Sequence, residues 1–290
     1  MKLNATILYE KIREMADVTL LGEGQEELTL HFPCFYDGSL KHLQAGGVYL
    51  APNDLLPREA PQEQNILWVS WSGKIPRTIP KCPVLFFNQE TDPKYILNLV
   101  QSVFIQFNLW EDKINEILAE DSSVKAIIDA SEDLFSHPLC VVDSSLSYLG
   151  YSRDFLSSPL YQEGSEKISP AAALFYDEED DLRSSLSNHS FVLGTLYMIH
   201  NKTPFSQTER LMFKILGDKL TQALKNLSML SGLYQNSFKE QMKNLFITHH
   251  AEKNKLMDAF KEWGGSPDDT LLCYKVKASH LNQKINAEYI

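Results

Sequence analysis

The chain is poor in features that mark several common protein classes. Its 290 residues include only four cysteines, widely scattered and without a Cys-x-x-Cys pair, so neither a zinc site nor a disulfide scaffold is expected. No apolar run approaches the roughly 20 residues of a bilayer-spanning helix, and the N-terminal residues lack the apolar core of a signal peptide. We therefore expect a cytoplasmic protein with no membrane partner.

Positive charge is also scarce. Lys and Arg total 27 against 38 Asp and Glu, which gives a formal net charge of −11 at pH 7. Direct nucleic-acid binding needs a basic face that neutralises phosphates, so we do not expect these residues to hold DNA by themselves. Because 43% of the residues are hydrophobic and 22% are charged, the composition predicts an ordered globular chain.

Motifs for catalysis are missing or incomplete. Residues 22–24 lack the third glycine of a dinucleotide site, and no Gly-x-x-x-x-Gly-Lys phosphate loop occurs. Ser122 and Lys125 have the Ser-x-x-Lys spacing of serine acyl enzymes without its companion motifs, and Ser122 is better interpreted as a helix cap. We therefore predict no enzyme, no cofactor and no metal site.

What the chain does contain is a strand that leads into a long helix. Residues 191–199 are rich in β-branched and aromatic side chains, which is typical of a strand. Ser206 and Glu209 then form a capping-box pattern, in which each side chain satisfies a backbone N–H of the other residue. The pattern predicts that a helix begins here.

After this cap, apolar residues recur every three or four positions, as in a heptad repeat. They are Phe213, Leu216, Leu220, Leu224, Leu227, Leu230, Tyr234, Phe238, Met242 and Leu245. One interpretation is a coiled-coil seam between two copies of the chain. The other is two successive core helices, with Gly217 and Gly232 as weak points of about 1 kcal/mol each.

A second apolar stripe precedes this region. Asp92 and Pro93 form a helix start signal, and the apolar residues from Ile96 to Ile117 then step by four and three. Taken together, the two stripes predict a homodimer. The predicted dimer seam consists of Val103, Phe107, Trp110, Leu220, Leu224 and Leu227.

Between the two stripes, residues 138–143 and 146–151 are predicted to form a hairpin. The order of helix, hairpin, variable middle, glycine-containing strand and capped helix resembles the GAF/PAS class of ligand-sensing domains. In this segment Tyr148, Tyr151, Phe155, Phe175, Phe191 and Tyr197 either line an apolar pocket or form core. If a small-molecule effector binds, we expect it beside Tyr151, Arg153 and His189.

The first 90 residues have a different pattern. Asn4 is a candidate cap for a helix over residues 5–15. Short β-prone runs separated by prolines follow at residues 18–21, 28–32, 48–51, 66–71 and 84–87. We therefore predict an α/β domain here, and an α/β (α+β), multidomain fold class for the whole chain. The turn at Asp37 and Gly38 either presents the Asp37 carboxylate to a ligand or is an ordinary glycine turn.

Residues 4–13, the sequence Phe35-Tyr36-Asp37-Gly38-Ser39 and residues 46–51 resemble the N-terminal domain of PucR/CdaR-type bacterial transcriptional regulators. The resemblance implies five segments. They are an N-terminal PucR-like domain (1–90), a helical linker (91–121), a GAF/PAS-like sensor (122–225), a signalling helix (226–250) and the start of a degenerate GGDEF-like domain (251–290).

The resemblance also implies a function. The chain is expected to be the sensory and dimerising portion of such a regulator, truncated before its helix-turn-helix, so that DNA is reached only through a missing C-terminal domain. The alternative is a stand-alone cytoplasmic interaction protein that binds a partner through its helical stripes.

Overall fold

The computed structural model describes residues 1–22, 27–38, 43–57, 65–75, 82–143, 146–161, 163–168, 182–188, 191–200 and 203–248. The chain divides into two compact units, Met1–Asn226 and Leu227–Ile290. The described part contains both helices and two β-sheets, so the coarse prediction of a mixed α/β protein is confirmed. The predicted GGDEF-like start at 251–290 lies outside the described residues.

The helices are α1 (Ala5–Ile12), α2 (Pro93–Glu120), α3 (Val124–Ser131) and α4 (Gln207–Thr248). The strands are β1 (Val18–Leu21), β2 (His31–Phe35), β3 (Gly47–Pro52), β4 (Leu67–Trp71), β5 (Val84–Phe87), β6 (Leu139–Asp143), β7 (Tyr148–Tyr151), β8 (Leu182–Asn188) and β9 (Phe191–Met198).

The first five strands form one sheet in the order β1-β5-β4-β3-β2. Strands β2 to β5 are parallel, and β1 is antiparallel to β5. Strands β3, β4 and β5 are buried along almost their whole length, as expected for parallel strands covered on both faces. The second predicted strand begins at His31 instead of residue 28, because Leu30 pairs with Leu3 in an isolated bridge.

The two helix starts predicted in the first half are confirmed. The Asn4 side chain accepts a hydrogen bond from the Ile7 N–H, and the Asp92 side chain accepts one from the Lys94 N–H. The first helix ends at Ile12, not at residue 15. Ser122 is not the cap of α3: the Ser123 side chain accepts from the Ala126 N–H, whereas the Ser122 hydroxyl donates to the Leu118 carbonyl.

The second sheet is antiparallel, with the order β7-β6-β9-β8. The predicted hairpin is confirmed as β6 and β7, and the predicted final strand as β9. Successive side chains of a strand point to opposite faces of a sheet, so Cys140 and Tyr197 lie on one face while Leu139, Leu196 and Met198 lie on the other. The face that carries Leu139, Leu196 and Met198 belongs to the main hydrophobic core.

That core is continuous across the first unit. It joins α1 and one face of the first sheet to α2, α3, the inner face of the second sheet and α4 as far as Leu224. The domain boundaries predicted at residues 90, 121 and 225 stay predictions. Among the described residues, no helix is both long and apolar enough to cross a membrane.

Candidate functional site

Of the predicted ligand residues, Tyr151 lies on the outer face of the second sheet. Tyr151 pairs with Cys140, Cys140 pairs with Tyr197, and Tyr197 pairs with Arg183. Because paired residues share a face, these four side chains form one row across all four strands. We call the aromatic face the set Cys140, Tyr148, Tyr151, Phe155, Tyr161 and Tyr197.

The rings of the aromatic face contact one another. Tyr151 lies 5.6 Å from both Tyr148 and Phe155 between ring centroids, and Tyr161 lies 6.1 Å from Phe155. These separations are within the range of favourable aromatic pairs. Phe155 is fully buried, and Tyr151 is half-buried at the edge of the cluster.

The polar groups of this face lie at its margins. The guanidinium of Arg183 lies 5.8 Å from the centre of the Tyr197 ring, within the range of a cation–π contact. Burial raises the pKa of the Tyr197 hydroxyl, although the charge of Arg183 opposes this change. Burial also raises the pKa of the Cys140 thiol, so Cys140 is an inert apolar group instead of a nucleophile.

Within the aromatic face, Cys140, Phe155 and Tyr197 are buried, and the half-buried Tyr148, Tyr151 and Tyr161 pack against them. Arg183 places an exposed cation beside this packed cluster. Arg183 was missed at the sequence level. Its only signal is the pairing of β8 with β9, which cannot be read from residues 182–188 alone.

The remaining predicted ligand residues are not part of this row. Arg153 is exposed and begins a short 3-10 turn, Arg153–Ser157, where its backbone N–H donates to Glu132 Oε1 at 2.6 Å. Asp37 is exposed and follows β2 in the other sheet. Gly38 beside it has a φ of +83°, which supports the ordinary glycine turn. His189 lies outside the described residues.

The assignment of the dimer seam is contradicted for five of its six residues. Val103, Phe107, Trp110, Leu220 and Leu224 are all buried within a single chain. Their regular spacing reflects helix faces that pack on the two sheets and on each other, so they are not available to a second copy. Leu227, which is 37% exposed, is not covered in this way.

A buried polar network at the start of α4 was not predicted. His137 Nδ1 lies 2.9 Å from Glu209 Oε1, and His137 Nε2 lies 2.9 Å from the carbonyl oxygen of Thr203. Both ring nitrogens therefore lie within hydrogen-bond distance of an oxygen atom. The Phe205 ring covers His137 at a centroid distance of 4.5 Å.

Glu209 is the centre of this network. The backbone N–H and hydroxyl of Ser136 both donate to its Oε1, and the Ser206 N–H donates to its Oε2. Burial by itself raises the pKa of Glu209, but the hydrogen bonds from His137, Ser206 and Ser136 outweigh burial and lower it to about 2. Glu209 is therefore an ionised carboxylate at the amino end of α4, where the helix dipole also favours negative charge.

The first turn of α4 is held from a second direction by α1. The N–H groups of Gln207 and Thr208 donate to the two carboxylate oxygens of Glu10, at 3.2 Å and 2.8 Å. We call the polar clamp the set Glu10, Ser136, His137, Ser206 and Glu209. The predicted capping box is confirmed within it, since the Glu209 N–H donates to the Ser206 hydroxyl at 3.0 Å.

Among the described residues, no group of three or more His, Cys, Asp and Glu side chains is arranged to hold a metal ion. The clamp has a positioning role, because its charged groups already satisfy one another. No protein-family model matches the chain, and no curated protein matches it.

Proposed function

We propose that this chain is the sensory and dimerising portion of a bacterial transcriptional regulator of the PucR/CdaR type. A small molecule binds at the aromatic face of a GAF/PAS-like sensor, and α4 relays its presence towards a DNA-binding output. The antiparallel sheet order β7-β6-β9-β8, with its first and last strands adjacent at the centre, supports the sensor assignment.

The observation that carries this proposal is the position of β9 between the ligand face and the helix. Tyr197 belongs to the aromatic face, whereas its neighbours Leu196 and Met198 belong to the core that contains Leu216 and Leu220 of α4. A ligand that displaces the Tyr197 ring is therefore separated from α4 by the thickness of one strand. Tight packing transmits such displacements because well-packed cores have few empty spaces.

Two glycines make the contact between sheet and helix close. A Cβ atom at Gly194 of β9 would lie 3.4 Å from Leu224 Cδ1, and one at Gly217 of α4 would lie 3.3 Å from the Ser184 hydroxyl of β8. Gly217 therefore does not interrupt α4, which continues to Thr248. Its role is to let the helix approach the sheet.

Dimerisation is assigned to α4 beyond the first unit. The proposal rests on Leu227 and on the sequence stripe that continues to Leu245, since the earlier stripe residues are buried. The full chain is expected to sediment as a dimer, and a chain that ends at Asn226, the limit of the first compact unit, as a monomer. A monomeric full chain, or a dimer that survives the truncation, would contradict this assignment.

Ligand binding at the aromatic face is tested first. Purified full-length chain is screened by thermal denaturation against a library of small aromatic molecules, some carrying a carboxylate. A true ligand raises the melting temperature of the wild type and binds about tenfold more weakly to Tyr151→Ala or Arg183→Ala. A ligand that binds all three proteins equally well lies elsewhere, and the aromatic face is then the wrong site.

The relay is read from a fusion of the full chain to a DNA-binding domain that represses a reporter gene only as a dimer. The ligand is expected to change repression in the wild-type fusion. Glu209→Gln, which weakens the polar clamp without changing a residue of the aromatic face, should keep ligand binding and lose the change in repression. An unchanged reporter in the wild-type fusion, despite measured binding, would exclude the relay.

A further inference from the structure

A groove of about 670 Å³ runs along the outer surface between α2 and α3. Trp110 and Ile117 of α2 and Leu134 after α3 line it and are almost fully buried. It lies outside the aromatic face and the polar clamp, and neither site uses its exposed residues.

The shape of the groove follows from small residues on α3. Ala126 and Ala130 are one helical turn apart and both line the groove. Side chains four residues apart lie on the same helix face, so the two alanines leave a shallow channel beside the larger side chains of α2. Small residues at such positions allow a third helix to approach to the 8–10 Å that is usual for packed helices.

The α2 side of the groove exposes large apolar side chains. Leu109 lines the groove and is 64% exposed. Ile105, one turn earlier on α2 and outside the groove lining, is 56% exposed, so the exposed apolar surface continues along the helix. An exposed apolar strip beside an apolar channel is the pattern of a helix-binding groove.

The rim is acidic. Glu120, Asp121, Asp129 and Asp133 line the groove together with one lysine, Lys113. Lys113 is paired with Glu116 at 2.7 Å, and Lys125 is paired with Asp129. Within the lining itself, four carboxylates stand against one ammonium group.

We propose that this groove is a docking site for an amphipathic helix of a partner protein whose polar face is basic. The apolar face of such a helix covers Leu109 and the channel at Ala126 and Ala130, and its lysines or arginines meet the acidic rim. A second copy of the same surface is disfavoured, because it would bring two acidic rims together. The proposal is independent of the aromatic face and of the relay.

The test uses the full chain and a synthetic amphipathic peptide of about 18 residues, five helical turns, with leucine on one face and lysine on the other. Binding is measured by fluorescence anisotropy. We expect saturable binding, and helix content in the peptide that increases on binding. The same peptide with glutamate in place of lysine should bind at least about tenfold more weakly, equivalent to about 1.4 kcal/mol.

Variants of the chain separate the groove from general electrostatic attraction. Leu109→Ser removes an exposed apolar contact without disturbing the core, and Ala130→Leu fills the channel; each should weaken binding about tenfold. The double variant Glu120→Gln, Asp133→Asn should weaken binding several-fold and reduce its salt dependence. The matched control Asp54→Asn, Glu90→Gln makes the same change in charge at exposed positions elsewhere and should leave binding unchanged.

Several results would overturn the proposal. The first is that the lysine peptide shows no saturable binding. The second is that the glutamate peptide binds as tightly as the lysine peptide. The third is that the groove variants and the control variant lose the same amount of peptide affinity. If the chain is instead a dimer that Leu109→Ser dissociates, the occupant is a second copy and the basic partner helix is excluded. Ala130→Leu is interpreted only if its circular dichroism spectrum matches the wild type; Leu109→Ser tests the same point at an exposed position.

Discussion

The first turn of α4 and the four turns that follow it are held to the molecule by different kinds of contact. The first turn is fixed by the polar clamp, with hydrogen bonds of 2.8–3.2 Å to the carboxylates of Glu10 and Glu209 and to the Ser206 hydroxyl. The following turns pack Met212, Leu216 and Leu220 into the main core, all without measurable exposure. Apolar packing supplies most of the stability, whereas hydrogen bonds to charged groups specify one position for the helix end.

This difference indicates where a conformational change would have to act. A stripe with a spacing of three and four residues offers similar apolar contacts after a small shift of the helix. The polar clamp has no equivalent second arrangement, because Glu209 and Glu10 are already matched to particular N–H groups. A signal that moved α4 would therefore have to weaken the clamp, whereas substitutions in the apolar turns would change stability without changing the position of the helix end.

The largest effect is expected in the apolar region. Leu220→Ala should lower the free energy of unfolding by about 4 kcal/mol, because Leu220 is fully buried and the substitution leaves a cavity. Chemical denaturation of the two proteins measures this difference. Leu227→Ala, at a 37% exposed position on the same helix, is the control and should cost much less; equal losses would mean that Leu220 does not lie in a packed core.

The close approach of β9 to β6 gives the second prediction. A Cβ atom at Gly194 would lie only 2.5 Å from the Val142 carbonyl oxygen, so Gly194→Ala should cost about 3 kcal/mol through forced backbone movement. Gly164→Ala is the control, since Gly164 has a φ of +76° with no atom within 4 Å of the added Cβ. The control should cost about 1 kcal/mol, and a smaller loss at Gly194 than at Gly164 would contradict the packing described.

The polar clamp makes the free energy of unfolding depend on pH. The pKa of Glu209 is lowered from 4.5 to about 2 in the folded chain, so its contribution is present above about pH 4.5 and is lost as pH falls towards 2. The difference between these two pKa values corresponds to about 3 kcal/mol at most, and we expect a measured value of about 2 kcal/mol. Glu209→Gln should lower stability by this amount at pH 7 and reduce the acid dependence.

Thermal denaturation of Glu209→Gln between pH 3 and pH 7 checks this prediction. Glu14→Gln, at an exposed glutamate paired only with Lys11, is the matched control and should change stability little. If the stability of Glu209→Gln falls with acid as much as that of the wild type, Glu209 is not the source of the acid dependence.

The smallest expected effect is an increase in the free energy of unfolding. Thr208 is buried, and its hydroxyl has no hydrogen-bond partner in the described part of the chain. Thr208→Val keeps the shape and removes the unsatisfied group, so it should raise the free energy of unfolding by about 1 kcal/mol. A loss of stability on denaturation would show that the hydroxyl is bonded in solution.

Local patterns in the sequence predicted much of this structure. The capping box at Ser206 and Glu209 is visible within four residues, and the stripe after it correctly predicts a helix. Periodicity shows that a helix face is apolar but does not show what covers it. For this reason Val103 and Leu220 were assigned to a partner chain although the two sheets of the same chain cover them.

The parts that could not be predicted join residues far apart in the chain. His137 is 72 positions from Glu209, and Glu10 is 198 positions from Thr208. A single histidine or glutamate carries no local pattern that names such a partner. Arg183 was missed for the same reason, because only the pairing of β8 with β9 places it beside Tyr197.

The polar clamp stands at the start of a long helix, α4. Its 42 residues span about 63 Å at 1.5 Å per residue, of which the last 22 account for about 33 Å. A displacement of Glu209 along the axis of an unbroken helix would move every later residue of that helix by the same distance.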